Sequence, residues 1–244
     1  KRWGHSATRI NSFQMILIGG WDSKCQYSDM WRFDLHTETM AQIVTSLEKP
    51  SCRAGHTATF MEQDNSLFVF GGACCIGGPY EYYNDGWLFD LDMYEWKEIT
   101  FSGDIPAARA QHSVSWLNNE TLLLFGGYSG TTVFNDVYLL NTTTWTWQHV
   151  PTRGTGPAGQ SDLEVKDFRV RPVRGSLFDV SPGAESNSLI YVNDEGTFHL
   201  DTKTWLWSKI DSFSTSMHAG SYVKQGFLII GGTNPSLISI LQVN

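Results

Sequence analysis

The 244-residue chain has little positive charge and no long apolar segment. It carries 17 Lys and Arg against 25 Asp and Glu, which gives a net charge of −8. A general affinity for nucleic acid or for an anionic membrane surface needs an excess of Lys and Arg, so neither partner is expected. The apolar runs stay far below the roughly 20 residues that span a bilayer. We therefore expect no membrane insertion.

Cysteine is scarce as well. The four are Cys25, Cys52, Cys74 and Cys75, and no Cys-x-x-Cys pair occurs. Adjacent residues such as Cys74 and Cys75 do not bridge easily, so the pattern favours unpaired thiols in a reducing intracellular compartment, cytoplasmic or nuclear. No cofactor and no metal site are predicted.

A secreted origin is the alternative to an intracellular one. N-glycosylation sequons at Asn119 and Asn141 are compatible with a secreted protein. The chain begins at Lys1 without Met and without a recognisable signal peptide, which indicates a fragment or a processed product.

What the chain does have is a repeat. Four apolar segments run into a pair of glycines, and the first three pairs recur about 50 residues apart. Each of these three is preceded by a histidine and, three residues earlier, by an arginine. A period of this size with one strand cluster in each period is typical of a repeat architecture. The glycine pairs are Gly19-Gly20, Gly71-Gly72, Gly126-Gly127 and Gly231-Gly232, the histidines His5, His56 and His112, and the arginines Arg2, Arg53 and Arg109.

The second period predicts four strands. Gly55–Phe60 is a short strand of small residues, and Leu67–Phe70 is a continuous apolar strand that the glycines end. A loop over Ala73–Asn84 leads to a third strand at Gly86–Leu91 and, after a tight turn, to a fourth at Glu95–Ile99. Four antiparallel strands in each period, repeated radially, predict an all-β propeller.

A second regularity ties the third strand to the fourth. An Asp or Asn stands six residues before a fourth-strand tryptophan in three periods, and in the first period Asp34 leads to Met40 instead. We expect these tryptophans to fill the space between neighbouring blades. The pairs are Asp90 and Trp96, Asn141 and Trp147, and Asp201 and Trp207.

The count gives about five blades in a single domain, with a sixth possible outside this chain. The approximate bounds are 1–50, 51–106, 107–157, 158–214 and an incomplete last blade at 215–244.

The fourth blade is degenerate. Gln160 and Leu163 replace its arginine and histidine, and Asn193-Asp194 replaces its glycine pair. Asn and Asp tolerate positive φ best among the other residues, so the turn can survive. An unusual stretch over 166–188 is expected between its first two strands.

These residues resemble the kelch repeat. The family pattern is an arginine and a histidine opening the inner strand, a glycine pair closing the second strand, and an aromatic residue seven positions before a tryptophan. Phe89 and Trp96 fit that spacing, and Leu140 and Trp147 keep it with leucine in the aromatic place. The resemblance covers nearly the whole chain and implies a protein-interaction module, used as an adaptor or scaffold.

Some kelch-like propellers are enzymes. The copper oxidases need two tyrosines and two histidines around the metal, and no such set falls on one face here. The plant specifier proteins use an iron motif Glu-x3-Asp-x3-His, for which Glu81 and Asp85 match but Phe89 does not. No GxSxG, GxxxxGK or HExxH sequence occurs. We expect a non-enzymatic protein, with a metal-dependent enzyme or a specifier-type protein of the kelch propeller class as the alternative.

The residues predicted to bind a partner lie on the loop-bearing face. Arginines at the channel mouth can take carboxylates in bidentate fashion, although each could instead pair with an acid of the adjacent blade. An aromatic rim around these arginines suits a protein or peptide partner that bears acidic groups, and packing over the face is an equal alternative. The predicted contacts are Arg53, Arg109, Arg2, Trp21, Asp22, Tyr80, Tyr82, Tyr83 and Tyr128.

Two further sets carry open alternatives. The basic stretch 166–174 contains Arg169 and Arg171 and could clamp an acidic partner or could be a solvated insertion. The repeated histidines are expected to bond to backbone or to a neighbouring blade rather than to ligate a metal. We expect the propeller to be a monomeric unit within a larger protein.

Overall fold

The structure is a computed structural model with an all-β fold. Among the described residues the one helical element is a short 3-10 turn at Glu62–Asp64, and none of their helical structure is long and apolar enough to cross a membrane. The chain divides into two compact units, Lys1–Gln111 and His112–Asn244. The described residues are 2–22, 26–75, 80–159, 176–179, 188–193, 195–211, 218–223, 226–231 and 238–241.

The first unit contains two antiparallel sheets, each of four strands that pair in chain order. Each sheet is one blade of the predicted propeller. The first sheet holds β1 (Ser6–Arg9), β2 (Gln14–Ile18), β3 (Met30–Asp34) and β4 (Thr39–Ile43); the second holds β5 (Thr57–Met61), β6 (Ser66–Cys74), β7 (Glu81–Asp90) and β8 (Glu95–Ile99); β9 (Ser102–Gly103) is a short strand after them.

A buried apolar cluster joins the two blades of the first unit. The second strands are the most apolar, and every residue of β6 is buried. Trp96 of β8 and Phe89 of β7 pack in one cluster with Ile16, Ile18 and Met30 of the first blade. The tryptophan therefore fills the space between these two blades, as predicted.

The second unit contains three further sheets. Four strands of the third blade pair in chain order, four strands of the fourth do the same, and the fifth blade shows three. A two-residue strand ahead of the fourth blade runs parallel to its outer strand. The strands are β10 (Ser113–Asn118), β11 (Thr121–Phe125), β12 (Val137–Asn141), β13 (Thr146–Val150), β14 (Arg153–Gly154), β15 (Ser176–Asp179), β16 (Ser188–Asn193), β17 (Gly196–Asp201), β18 (Leu206–Asp211), β19 (His218–Val223), β20 (Gly226–Gly231) and β21 (Ile238–Leu241).

The core of the second unit repeats the packing of the first. Trp207 lies 5.0 Å from Phe125, ring centre to ring centre, and joins a buried cluster with Val137, Val150 and Leu200. The all-β propeller architecture with four-stranded blades is confirmed by these sheets.

The start of the fourth blade differs from the prediction. Its first strand was expected near Leu163, with the unusual stretch 166–188 between the first two strands. The structure places that strand at Ser176–Asp179, where it pairs with β16. The repeat spacing counted from Pro157 was misleading because extra residues separate that proline from the strand.

One carboxylate or amide oxygen holds each turn between a third and a fourth strand. Oδ1 of Asp90 accepts hydrogen bonds of 2.8 Å from the backbone N–H groups of Asp92 and Met93. The residue before each fourth strand then has positive φ, as at Tyr94. This Asx turn explains the Asp or Asn found six residues before the fourth-strand tryptophan. The same contact recurs at Asp34, Asn141 and Asp201.

The glycine pair of the second blade does not end its strand. β6 continues through Gly71 and Gly72 to Cys74, with a register shift between Phe70 and Gly72. Both glycines have positive φ, which lets the ladder resume beyond the irregularity. The predicted loop over Ala73–Asn84 is therefore in large part an extended hairpin.

Main-chain hydrogen bonds connect equivalent positions of successive repeats. The N–H of Gly55 donates to the carbonyl of Gly4 at 2.8 Å, and the N–H of Gln111 donates to the carbonyl of Gly55 at 2.6 Å. All three residues have positive φ. Since Gly4 and Gly55 directly precede His5 and His56, the backbone itself fixes the spacing of the inner strands β1 and β5 of the first unit.

Candidate functional site

Arg53 is buried in the second blade and its charge is already paired. The residue is 1% exposed. Its two terminal nitrogens each donate a 2.7 Å hydrogen bond to one oxygen of Asp85, and one also donates to the Gly71 carbonyl at 2.9 Å. Its guanidinium lies 4.6 Å from the ring centre of Tyr83. This bidentate pair leaves little room for a ligand carboxylate.

Arg2 repeats the arrangement in the first blade. It donates to both oxygens of Asp29, to the Gly19 carbonyl, and stacks on the ring of Tyr27 at 4.1 Å. The pairing acid lies in the arginine's own blade in both cases. The alternative that an adjacent blade supplies the acid is therefore wrong for Arg2 and Arg53.

The carboxylates of these pairs stay ionised. Burial of Asp85 favours its neutral form, but hydrogen bonds from Arg53 and Trp87 outweigh this and hold its pKa below the ordinary value. Burial of Asp29 likewise favours its neutral form, but hydrogen bonds from Arg2 and Trp31 hold its pKa below the ordinary value. The first and the second blade thus each contain an arginine–aspartate–tryptophan network.

Arg109 is the third predicted contact of this type and is 0% exposed. Its Nε donates to the Ala107 carbonyl, and its N–H donates to the Tyr83 carbonyl. The Arg109 carbonyl accepts from Gly72. The backbone of this arginine is therefore tied to the diglycine segment of the preceding blade.

The expected aromatic rim is only partly at the surface. Trp21 and Tyr128 are buried, and Trp21 packs edge-on against Trp3 at 3.9 Å between ring centres. Asp22 accepts a 2.8 Å hydrogen bond from the Tyr27 hydroxyl. These side chains pack the loops of their own unit.

The second-blade tyrosines lie on the extended hairpin. Tyr82 and Tyr83 belong to β7 and pair across the ladder with Ala73 and Gly72, while Tyr80 stands just before the strand. All three tyrosines are partly exposed. Because side chains alternate along a strand, Tyr82 and Tyr83 lie on opposite sides, and Tyr83 turns toward Arg53.

The basic pair Arg169 and Arg171 lies outside the described residues, so its predicted role stays a prediction.

The repeated histidines serve the packing between blades in the first unit. His56 is buried, and its Nε2 lies 2.9 Å from the Ser6 hydroxyl of the preceding blade. Burial lowers the pKa of His56 to about 3, and the positive charge of Arg53 adds to this. Burial and then Arg2 lower the pKa of His5. This contact matches the expected bond to a neighbouring blade.

The match to the iron motif gives no iron site. Asp85 is engaged by Arg53, and Phe89, which stands where the motif needs histidine, is 0% exposed. Across the part of the chain that the structure describes, one group of three side chains could hold a metal ion, made of Cys74, Cys75 and Glu81.

The cysteines also differ from expectation. Cys74 and Cys75 form a disulfide, whereas adjacent thiols were expected to stay unpaired. Cys75 has a φ of 72°, and this left-handed backbone breaks the alternation that would send the two side chains to opposite faces. Cys52 is a free thiol.

The sequence did not reveal that Asp29 and Asp85 are the acids that pair with Arg2 and Arg53. They lie 27 residues after Arg2 and 32 residues after Arg53, so the spacing does not repeat. A local signal was nevertheless present, since Tyr27-Ser28-Asp29-Met30-Trp31 and Tyr83-Asn84-Asp85-Gly86-Trp87 share one pattern. In this pattern the tyrosine stacks on the arginine, and the aspartate accepts from the arginine and from the indole N–H.

A comparison with protein families agrees with this geometry. The family model of the KLHDC2/KLHL20/DRC7 Kelch-repeats domain matches residues 4–232. The chain belongs to the kelch-repeat family. Kelch domains commonly serve as protein-interaction modules.

Several proteins are similar to this chain at moderate sequence identity. Bovine Kelch domain-containing protein 3 is 29% identical over 228 residues, which cover 84% of this chain and 56% of that protein. The rat protein of the same name is 29% identical over 165 residues, 64% of this chain and 42% of that protein. Acyl-CoA-binding domain-containing protein 5 of Arabidopsis thaliana is 31% identical over 213 residues, 86% of this chain and 30% of that protein. The kelch chain thus spans about half, or less, of these relatives.

Proposed function

We propose that this kelch chain is a non-catalytic protein-interaction module that binds a partner peptide or protein surface through the extended β6–β7 hairpin of its second blade. The observation that carries the proposal is the continuation of the ladder beyond the glycine pair, through Gly72–Tyr83 and Ala73–Tyr82 to Cys74–Glu81. Paired main chain holds its side chains more rigidly than a loop would, which lowers the entropy lost on binding.

The side chains of this hairpin suit a protein contact. Tyr80 and Tyr82 are partly exposed, and Tyr82 lies on the side of the strand opposite to Tyr83. Tyrosine offers a large rigid surface with a polar end, and it is enriched among the residues that dominate binding energy. Tyr83, on the other side, covers the buried Arg53 and so supports the hairpin from below.

Charge has a smaller part in this proposal than the sequence suggested. Asp85 and Asp29 already neutralise Arg53 and Arg2. Recognition of an acidic partner would rest on Arg169 and Arg171, so the acidity of the partner stays a prediction. Membership of the family supports the further proposal that the module is a monomeric adaptor or scaffold within a larger intracellular protein.

A pull-down with matched variants tests the hairpin. Tyr80→Ser with Tyr82→Ser should lose the partner that the wild-type chain recovers. The control is Met93→Ser, because Met93 is 66% exposed in the turn at the other end of the same blade. Equal recovery by the tyrosine variant and the control, with both shown to be folded by circular dichroism, would contradict the proposal.

A further inference from the structure

Three side chains with metal-binding atoms meet at the end of the β6–β7 hairpin. Cys74 and Glu81 are direct partners across the ladder, so their side chains lie on one face. Cys74 Sγ lies 3.7 Å from a Glu81 carboxylate oxygen. With Cys75, the ligand atoms of the three residues all fall within 4.8 Å of one another.

The backbone around Cys75 is arranged so that both sulfurs reach the same place. In a regular strand, neighbouring side chains point to opposite faces. The positive φ of Cys75 breaks this rule, a conformation that non-glycine residues keep only where their surroundings impose it. Gln26 supplies part of that restraint, since its Oε1 accepts a 2.5 Å hydrogen bond from the Cys75 N–H.

A third sulfur is close by. Cys52 Sγ lies 3.8 Å from the same Oε1 of Gln26. Three cysteines of the first unit are therefore gathered around the end of one hairpin, although they come from different parts of the sequence.

We propose that Cys74, Cys75 and Glu81 bind a soft divalent metal ion of the zinc type when the Cys74–Cys75 disulfide is reduced. The site is distinct from the proposed partner contact through Tyr80 and Tyr82. Two thiolates and one carboxylate are zinc ligands, and a fourth position is left for water or another donor. Calcium and magnesium require oxygen ligands, so a sulfur-rich site selects against them.

The oxidised and the metal-bound states exclude each other. A dithiol reductant donates two electrons and two protons, breaks the S–S bond, forms two S–H groups and is itself oxidised to a disulfide. Binding of the metal ion then displaces the two thiol protons to solvent, because the thiolate is the ligand. Oxidation of the pair removes both sulfur ligands at once.

Titration of the reduced chain with Zn²⁺ alone tests the site. Reduced wild type should bind one equivalent, and the oxidised chain should bind none. Cys74→Ser, Cys75→Ser and Glu81→Gln should each weaken binding by about tenfold or more, since loss of even an indirect neighbour of a metal ligand costs that much. Glu62→Gln, an exposed carboxylate in the 3-10 turn, and Cys52→Ser, a neighbouring thiol, should bind as wild type does.

A spectrum separates thiolate ligation from loose binding. Co²⁺ in the reduced wild-type chain should give a sulfur-to-metal charge-transfer band that disappears in Cys74→Ser and in Cys75→Ser. Equal zinc binding by oxidised and reduced chains would overturn the proposal. So would a loss in Cys52→Ser as large as that in Cys74→Ser, because the ligands would then be a different set. Glu81→Gln replaces an exposed side chain and keeps the test valid if a cysteine variant fails to fold.

Discussion

The guanidinium of Arg53 and the carboxylate of Asp85 meet through two hydrogen bonds of 2.7 Å inside one blade. The arginine side chain is 2% exposed and the aspartate 27%, so water reaches this pair from one side only. The sequence suggested that Arg53 contacts a ligand. In the structure its side chain instead binds Asp85 in the third strand of the same blade.

Removing one partner of this pair should be costly. Asp85→Ala leaves a buried guanidinium without its anion, so we expect a loss of about 3–5 kcal/mol in the free energy of unfolding, measured with urea. Asp29→Ala is the matched variant and should lose less, because Arg2 is 25% exposed. The double change Arg53→Met with Asp85→Leu should recover most of the stability. A greater loss for Asp29→Ala than for Asp85→Ala would contradict this account.

His56 should make the stability of the first unit fall in acid. Its pKa is about 3 in the folded chain and 6.5 ordinarily, so between these values the unfolded chain binds a proton that the folded chain does not. The free energy of unfolding should then fall by about 1 kcal/mol for each pH unit below 6.5, down to about 3. His56→Gln should remove this part of the slope, while His36→Gln, at an exposed position, should keep it. An unchanged slope in His56→Gln is the outcome against the prediction.

The residue at the fourth-strand tryptophan position should contribute to the free energy of unfolding only where it is buried. Trp96 is 6% exposed, whereas Met40, at the equivalent position of the first blade, is 51% exposed. Trp96→Ala should cost about 3–5 kcal/mol, and Met40→Ala no more than about 0.5 kcal/mol. Thermal unfolding distinguishes the two; similar shifts in melting temperature would mean that the tryptophan does not join the blades.

The Asx turns should accept Asp or Asn but not alanine. Asp90→Ala removes two hydrogen bonds to exposed N–H groups and should cost about 1 kcal/mol in a urea titration. Asp90→Asn should be close to neutral, because Asn141 makes the same contacts in the third blade. Equal losses for the two substitutions would show that the contact does not stabilise the turn.

The fourth strand of the second blade could be predicted closely from the sequence. Glu95–Ile99 has the predicted bounds. This strand follows from local chemistry, because the Asx turn at Asp90 and the buried Trp96 are only six positions apart. The inner-strand arginines and histidines were recognised as repeated, but their partners could not be read from the period.

The aspartates that pair with the arginines could not be predicted from the repeat, because the loops between them differ in length. Asp29 and Asp85 have the same role but stand at different distances from their arginines, because the hairpin of the second blade is longer. The hairpin itself was read as a loop, since a glycine pair ordinarily weakens a strand. Its pairing depends on a register shift at Gly72 that only the three-dimensional ladder reveals.

The main-chain hydrogen bonds of the arginines show that a sequence repeat and a structural blade do not begin and end at the same residues. The Arg53 carbonyl accepts from Gly20, and the Arg109 carbonyl accepts from Gly72. Arg53 therefore completes the first blade with its main chain and the second blade with its side chain, and the main chain of Arg109 completes the second blade. A recombinant fragment cut just before Arg53 would leave the Gly20 N–H without its acceptor. Fragments or chimeras of this protein should carry the first residues of the following repeat with every blade they are meant to preserve.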